Sequence, residues 1–232
     1  MKTVIVIGGS TGIGRAIGTA FAGEGHDVHV TGIEPLDAMP ADGAITCHRL
    51  DVRSDSEVVD FFGGFSRVDV LVNCAGVIQR GGKEFMPEGF AAVVDINLNG
   101  SQRCCQAAHD ALKAAGGCVI NTASMLSFFG SGAAPAYSAS KGGVAQLTRS
   151  LAIAWAGDGI RVNALAPGWI ATDLTSALTQ DQERSAELVG RTPMGRWGEP
   201  ADLAGPALFL ASPQAHFVTG VVLPVDGGYS IR

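Results

Sequence analysis

Thr3-Val4-Ile5-Val6-Ile7-Gly8-Gly9-Ser10-Thr11-Gly12-Ile13-Gly14 sets the architecture of this chain. Its first five residues form a continuous β-branched run, the pattern of a strand buried on both faces of a parallel sheet, and two glycines stop it. A helical pattern, Ile13 to Ala22, follows at once. Strand, glycine-rich turn and helix in this order bring backbone amides and the positive end of a helix to one point, where a pyrophosphate can be held. Gly8, Ser10, Thr11, Gly12, Ile13 and Gly14 are therefore candidate nucleotide-binding residues. The glycines are spaced G-x-x-x-G-x-G, not G-x-G-x-x-G, and a glycine turn without a ligand is the competing reading.

Outward from this unit the same alternation continues. Apolar runs at Asp27 to Thr31, Ile45 to Leu50, Val68 to Asn73, Cys118 to Thr122, Ile160 to Ala164 and Val221 to Val225 read as further strands. Helical patterns separate them at Ser54 to Gly63, at Pro87 to Ala115 with a break near Asn97 to Gly100, at Tyr137 to Ala156, and at Pro200 to Ala211. The expected fold is α/β, a doubly wound parallel sheet of about seven strands with helices on both faces. No linker, repeat or low-complexity tract divides the chain, so one domain over 1–232 is expected. Residues 172–197 lack a strand pattern, are helical in part (Gln180 to Val189), and suit a flap over a site.

Tyr137 and Lys141 stand one helical turn apart and share a face. A phenol beside an ammonium is a plausible acid/base pair, the positive charge favouring phenolate and drawing the tyrosine pKa down. The same spacing also decorates surface helices. At the end of the second strand, Val30-Thr31-Gly32-Ile33-Glu34-Pro35 carries no arginine or lysine. Glu34 lies where an acid would bond a ribose hydroxyl and repel a 2′-phosphate, so Ile33 and Glu34 point to NAD rather than NADP; a solvated loop acid is the alternative.

Composition excludes several classes. The 232 residues are 47% hydrophobic with a net charge of −6, and no block of basic residues offers a nucleic-acid or anionic-membrane footprint. The apolar run at the N-terminus stops at Gly8, too early for a secretory segment, and no run reaches membrane-spanning length; a cytoplasmic protein is expected. The five cysteines (Cys47, Cys74, Cys104, Cys105, Cys118) lack metal-ligand spacing and read as buried thiols, so no metal is expected.

With the glycine turn, the ordered set Asp51-Val52, Asn73-Cys74-Ala75-Gly76, Asn97, Ser124, Tyr137-x-x-x-Lys141, Pro167-Gly168 with Thr172, and Val225-Asp226-Gly227-Gly228 resembles the short-chain dehydrogenase/reductase family along essentially the whole chain. Gly8 stands where the family commonly has threonine, and Cys74 replaces the second asparagine of Asn-Asn-Ala-Gly. The resemblance implies a Rossmann-type catalytic domain in which Tyr137 is the general acid/base and Lys141 holds the nicotinamide ribose. It implies that Ser124 stabilises charge on the substrate oxygen and that Asn97 anchors a water to Lys141. It also implies that Asp51 and Val52 meet the adenine, that Asn73 steadies the neighbouring strands beside the Ala75-Gly76 backbone, and that Pro167, Gly168, Ile170 and Thr172 orient the carboxamide. Thr11, where NADP-dependent relatives often have arginine or lysine, again points to NAD.

Within the family, Gly32 to Pro35, Ala123 to Phe128, Asp181 to Glu187 and Gly195 to Gly198 resemble a branch that interconverts a secondary alcohol and a ketone on sugar acids such as 2-dehydro-3-deoxy-D-gluconate. Arg80, Arg191 or Arg196 would then meet a substrate carboxylate, with Met125 and Trp169 walling the pocket. An NADPH-dependent 3-oxoacyl-carrier-protein reductase is the alternative, and a non-catalytic dinucleotide-binding regulator a third. The resemblance further implies a homotetramer or homodimer, and a 35–67 segment trimmed relative to longer members.

Overall fold

Side chains of β1 (Thr3–Ile7) alternate between two apolar layers, as period-two geometry requires of a strand covered on both sides. Ile5 and Ile7 join Leu71, Val119 and Val162 against Phe62, Leu112 and Trp155. Val4 and Val6 join Val28, Val30, Val70 and Val72 against Ile17, Phe21, Leu203 and Leu210. Each such side chain, fully buried, contributes roughly 1.5–3 kcal/mol. The computed structural model describes residues 1–34 and 44–232.

The other strands are β2 (Asp27–Gly32), β3 (Ile45–Arg49), β4 (Val70–Asn73), β5 (Cys118–Thr122), β6 (Arg161–Pro167) and β7 (Val222–Val225). They form one parallel sheet in the order β3-β2-β1-β4-β5-β6-β7, the Rossmann-type arrangement the sequence predicts. The chain winds outward from β1 through β2 to β3, then returns to place β4 on the other side of β1. This reversal opens a crevice at the carboxyl ends of β1 and β4, where α/β sheets bind ligands. Gly8 and Cys74 follow those two ends.

The helices are α1 (Gly12–Gly23), α2 (Asp55–Gly63), α3 (Pro87–Val94), α4 (Gly100–Ala107), α5 (His109–Ala115), α6 (Pro135–Trp155), α7 (Ser176–Thr179), α8 (Gln182–Arg191) and α9 (Ala204–Ala211). Ser54 caps α2 by accepting from the Glu57 amide, and Asp181 caps α8 by accepting from that of Arg184. α6 starts two residues before the predicted Tyr137, with Pro135 in the first turn, where its missing N–H costs nothing. The predicted break in the long helix is a π-turn over Asp95–Asn99, followed by a second interruption at Ala108.

Two expectations need adjustment. Cys104, Cys105 and Cys118 are buried, but Cys47 and Cys74 are only partly so, because Cys74 sits at the crevice. Of the trimmed 35–67 segment, and of the motif ending at Pro35, residues 35–43 lie outside the described residues. Among the described residues no helix is long and apolar enough to cross a membrane, and no group of three His, Cys, Asp or Glu side chains could hold a metal ion.

Candidate active site

A cavity of about 480 Å³ runs across the carboxyl ends of the strands. Its floor at one end is the turn after β1. Gly8 has φ +73° and lies so close to the β4 end that a Cβ there would stand 2.5 Å from the Ala75 nitrogen. A side chain at Gly14 would collide with the Gly8 carbonyl. Only bare backbone fits, which leaves a cradle at the head of α1 suited to a pyrophosphate. Ser10, Thr11, Gly12 and Ile13 line it too.

Beside the cradle, Ile33, Glu34, Asp51 and Val52 line the cavity. Ser10 donates to Glu34 Oε2 at 3.0 Å, which ties the end of β2 to the glycine turn. One neighbour escaped the sequence reading. Arg53 also lines this end and grips both Asp51 oxygens, at 2.9 and 2.5 Å. That guanidinium holds the Asp51 carboxyl below its ordinary range. The end of β2 and the Thr11 position carry no cation, but the sheet brings the end of β3 to the same place.

At the far end stand Ala75, Gly76, Ser124, Tyr137, Lys141, Pro167, Gly168, Ile170 and Thr172, all lining the cavity. Ser124 follows β5 and is buried; its Oγ accepts from the Leu126 amide at 3.1 Å, so its own hydrogen is left to donate elsewhere. Ser127 Oγ accepts from the Ser124 amide at 3.2 Å and donates to the Lys141 carbonyl at 2.7 Å. The serine loop is thereby fastened to α6. Lys141 is 3% exposed, donates to the Thr122 carbonyl at 2.6 Å, and holds its nitrogen 5.7 Å from the centre of the Tyr137 ring.

The electrostatics differ from the sequence expectation. Burial pushes the Tyr137 phenol above its ordinary pKa; hydrogen bonding to Ser124 draws it back, and the Glu84 carboxylate adds to the rise. Lys141 does not pull it down. Burial instead drives the lysine itself to about 8, with Cys74 opposing. A lysine that loses its proton at about 8 is already neutral where a phenol raised above its ordinary range ionises, so no ammonium remains to stabilise the phenolate.

Other predicted residues lie beside the cavity rather than in it. Asn97, fully buried on the π-turn, accepts from the Val77 amide (2.8 Å) and donates to the Val77 carbonyl (2.9 Å) and Ser140 Oγ (3.0 Å). It neighbours Lys141 across Gly76, where an added Cβ would lie 3.3 Å from Asn97 Oδ1 and 3.5 Å from the lysine nitrogen. Asn73 is buried and donates to Asn121 Oδ1 (2.9 Å) on β5 and to Cys105 Sγ (3.2 Å) on α4, tying β4 to its neighbours away from the cavity.

Met125 and Trp169 are not among the residues that line the two cavities. Met125 is buried in the turn after Ser124, and Trp169 packs edge-on against Trp197 and Tyr229 with its indole nitrogen unpartnered. Among the arginines, Arg196 is held by both oxygens of Asp202 (2.7 and 2.9 Å), and Arg191 lies 4.8 Å over the Tyr229 ring. Arg80 donates to the Leu174 carbonyl (3.1 Å) and lines a second cavity with Lys83, Asp173 and Leu174. Asp173 and Leu174 border both cavities, so the start of the 172–197 segment walls the cleft.

A dinucleotide cradle joined to a serine, a tyrosine and a buried lysine defines a nicotinamide-nucleotide oxidoreductase. Over residues 8–230 the chain matches the family described as enoyl-(acyl carrier protein) reductase. It is 40% identical over 242 residues to a 2-dehydro-3-deoxy-D-gluconate 5-dehydrogenase of Bacillus subtilis, covering 100% of this chain and 95% of that one. A structure described as a candidate NAD(P)-dependent gluconate 5-dehydrogenase from Beutenbergia cavernae, with bound NADP, is 41% identical at a TM-score of 0.91, covering 100% and 97%. A gluconate 5-dehydrogenase from Burkholderia cenocepacia, in complex with NADP and tartrate, is 31% identical at a TM-score of 0.92, covering 100% and 96%. The chain belongs to the short-chain dehydrogenase/reductase family.

Proposed function

We propose that this protein interconverts a secondary alcohol and a ketone on a sugar acid of the gluconate or 2-dehydro-3-deoxy-D-gluconate type. The observation that carries the reading is the meeting of Ser124, Tyr137 and Lys141 at one end of a cavity whose other end is a pyrophosphate cradle. The nicotinamide, when bound, supplies or accepts the hydride. Pro167, Gly168, Ile170 and Thr172 would face its carboxamide, and Gly8 to Gly14 its pyrophosphate.

In the reducing direction Tyr137 donates its proton to the carbonyl oxygen, a role suited to a phenol that burial keeps protonated at neutral pH. In oxidation the reverse step starts from the phenolate form of Tyr137, which takes the proton from the hydroxyl. Ser124, whose oxygen is already engaged as an acceptor, donates to the same substrate oxygen and stabilises charge there. Lys141 orients the ribose and, anchored on Thr122, cannot swing away. Arg80, with Lys83 nearby, is the cation we assign to the substrate carboxylate, since Arg196 is engaged by Asp202.

Glu34 beside Ser10 supports NAD as the preferred cofactor. Arg53 at the same end, and the NADP in the Beutenbergia and Burkholderia structures, support NADP as the second reading. A homotetramer in the cytoplasm accompanies the proposal. Initial rates over sugar acids, polyols and acyl thioesters with both cofactors test it together. Failure to oxidise or reduce any sugar acid overturns the substrate class, and turnover of acyl thioesters alone replaces it with the carrier-protein reductase.

A further inference from the structure

Among the described residues, Glu84 is the one buried carboxylate, at 1% exposure, and Lys141 the one buried ammonium. Carboxylates are rarely buried unless their oxygens are satisfied. Both oxygens of Glu84 are, by two backbone amides from different parts of the chain. Oε1 accepts from Gln79 and Oε2 from Tyr137, each at 2.9 Å. Tyr137 is the third residue of α6, where an amide has no partner within the helix, and Ala134 at the N-cap offers no side chain to fill the place. Glu84 caps the helix from outside, 53 residues earlier in sequence.

The Gln79 end matters equally. Ile78, Gln79 and Arg80 form one wall of the second cavity, facing Asp173 and Leu174. Glu84 itself is held in a tight turn, Lys83–Phe85, packed on α3 so closely that a Cβ at Gly89 would collide with the Lys83 carbonyl. One rigidly mounted carboxylate therefore spans the tyrosine and the wall that carries Arg80.

We propose that Glu84 is a positioning residue that fixes the Tyr137 phenol relative to the substrate cleft by holding the Tyr137 and Gln79 amides together. This rests on the reading of Tyr137 as the acid/base. Its charge has a second effect. The groups facing the phenol are Ser124 from the end of β5, Lys141 from α6 and Glu84 from the Lys83–Phe85 turn, with Cys74 beyond the lysine. Of these, Glu84 opposes ionisation, keeping the phenol a proton donor.

The chain contains two tyrosines, so in a Tyr229→Phe background Tyr137 is the sole phenol, and its ionisation is read by phenolate absorbance with no substrate present. Glu84→Gln in that background is expected to move the titration to lower pH by roughly half a unit or more. Glu84→Asp keeps the charge but is a methylene too short to span both amides; its titration stays near the parent's. Both variants are expected to lower kcat on the order of tenfold with the KM for cofactor unchanged. An unmoved titration in Glu84→Gln, or full kcat in Glu84→Asp, overturns the proposal. If Glu84→Gln does not fold, the kcat and KM of Glu84→Asp decide. A parent enzyme with no alcohol–ketone turnover sinks the proposed function, while the titration still judges Glu84.

Discussion

The proton-transfer corner and the 172–197 segment border one cleft but are built on opposite terms. In the corner, Asn97, Ser124 and Lys141 are buried, and their polar atoms are engaged by strand ends and by α6. In the segment, α7 and α8 are short and largely exposed, and the polar residues there bond locally: Thr175 to Ile170, Arg184 to Glu187, Trp197 to Ser185. Bonds buried in a low dielectric tolerate little displacement, whereas exposed local bonds are individually weak. Geometry for the chemistry is thus over-determined, and the wall that selects a substrate remains free to vary.

The largest expected effect lies in the corner. Tyr137→Phe should lower kcat on the order of 10²–10⁴-fold while cofactor affinity, measured by fluorescence titration, holds; a variant with near-normal kcat would erase the contrast. Lys141→Met should also lose most activity, and its stability should part from wild type in a pH-dependent way. The folded lysine titrates at about 8 against 10.5 when unfolded, so between those values the unfolded chain binds more protons. Wild type is then expected to gain up to about 3 kcal/mol relative to the variant as pH rises through that window, read by urea denaturation.

Effects in the cleft wall should be smaller. Arg80→Ala is expected to raise the KM for a sugar acid about tenfold and leave kcat nearly unchanged, the sign of uniform binding; a kcat loss instead would move Arg80 into the corner's category. Arg196→Ala should change stability least of these, because the pair with Asp202 is well exposed. Arg196 holds Asp202 at about 2, so what stabilisation the pair gives is present above the ordinary carboxylate range and lost as pH falls through about 2. Thermal melts at pH 7 and pH 2 check this.

The seven strands, the glycine turn and the Tyr137–Lys141 helix were legible because each is written in a local period or a fixed spacing. Arg53 and Glu84 were not, since their importance comes from strand order and from a contact across 53 residues. Glu84 lies between Lys83 and Phe85 in an ordinary-looking turn, with nothing nearby to mark it as buried. Trp169 and Met125 stand next to motifs in sequence yet outside the cavity lining, because neighbourhood in sequence says little about which way a side chain turns. The tyrosine's ionisation is not legible either, because charge proximity is visible in a spacing and desolvation is not.

The π-turn at Asp95–Asn99 makes this region sensitive to changes in chain length rather than composition. It holds one residue more than a regular turn would, and Asn97 reaches Val77 and Ser140 from that widened loop. Deleting a single codon there would allow an uninterrupted helix, an outcome local energetics favour, while swinging Asn97 off its partners. The fold would survive such a frame-preserving deletion far better than the reaction, so natural lineages should admit insertions and losses in the 172–197 wall and almost none here.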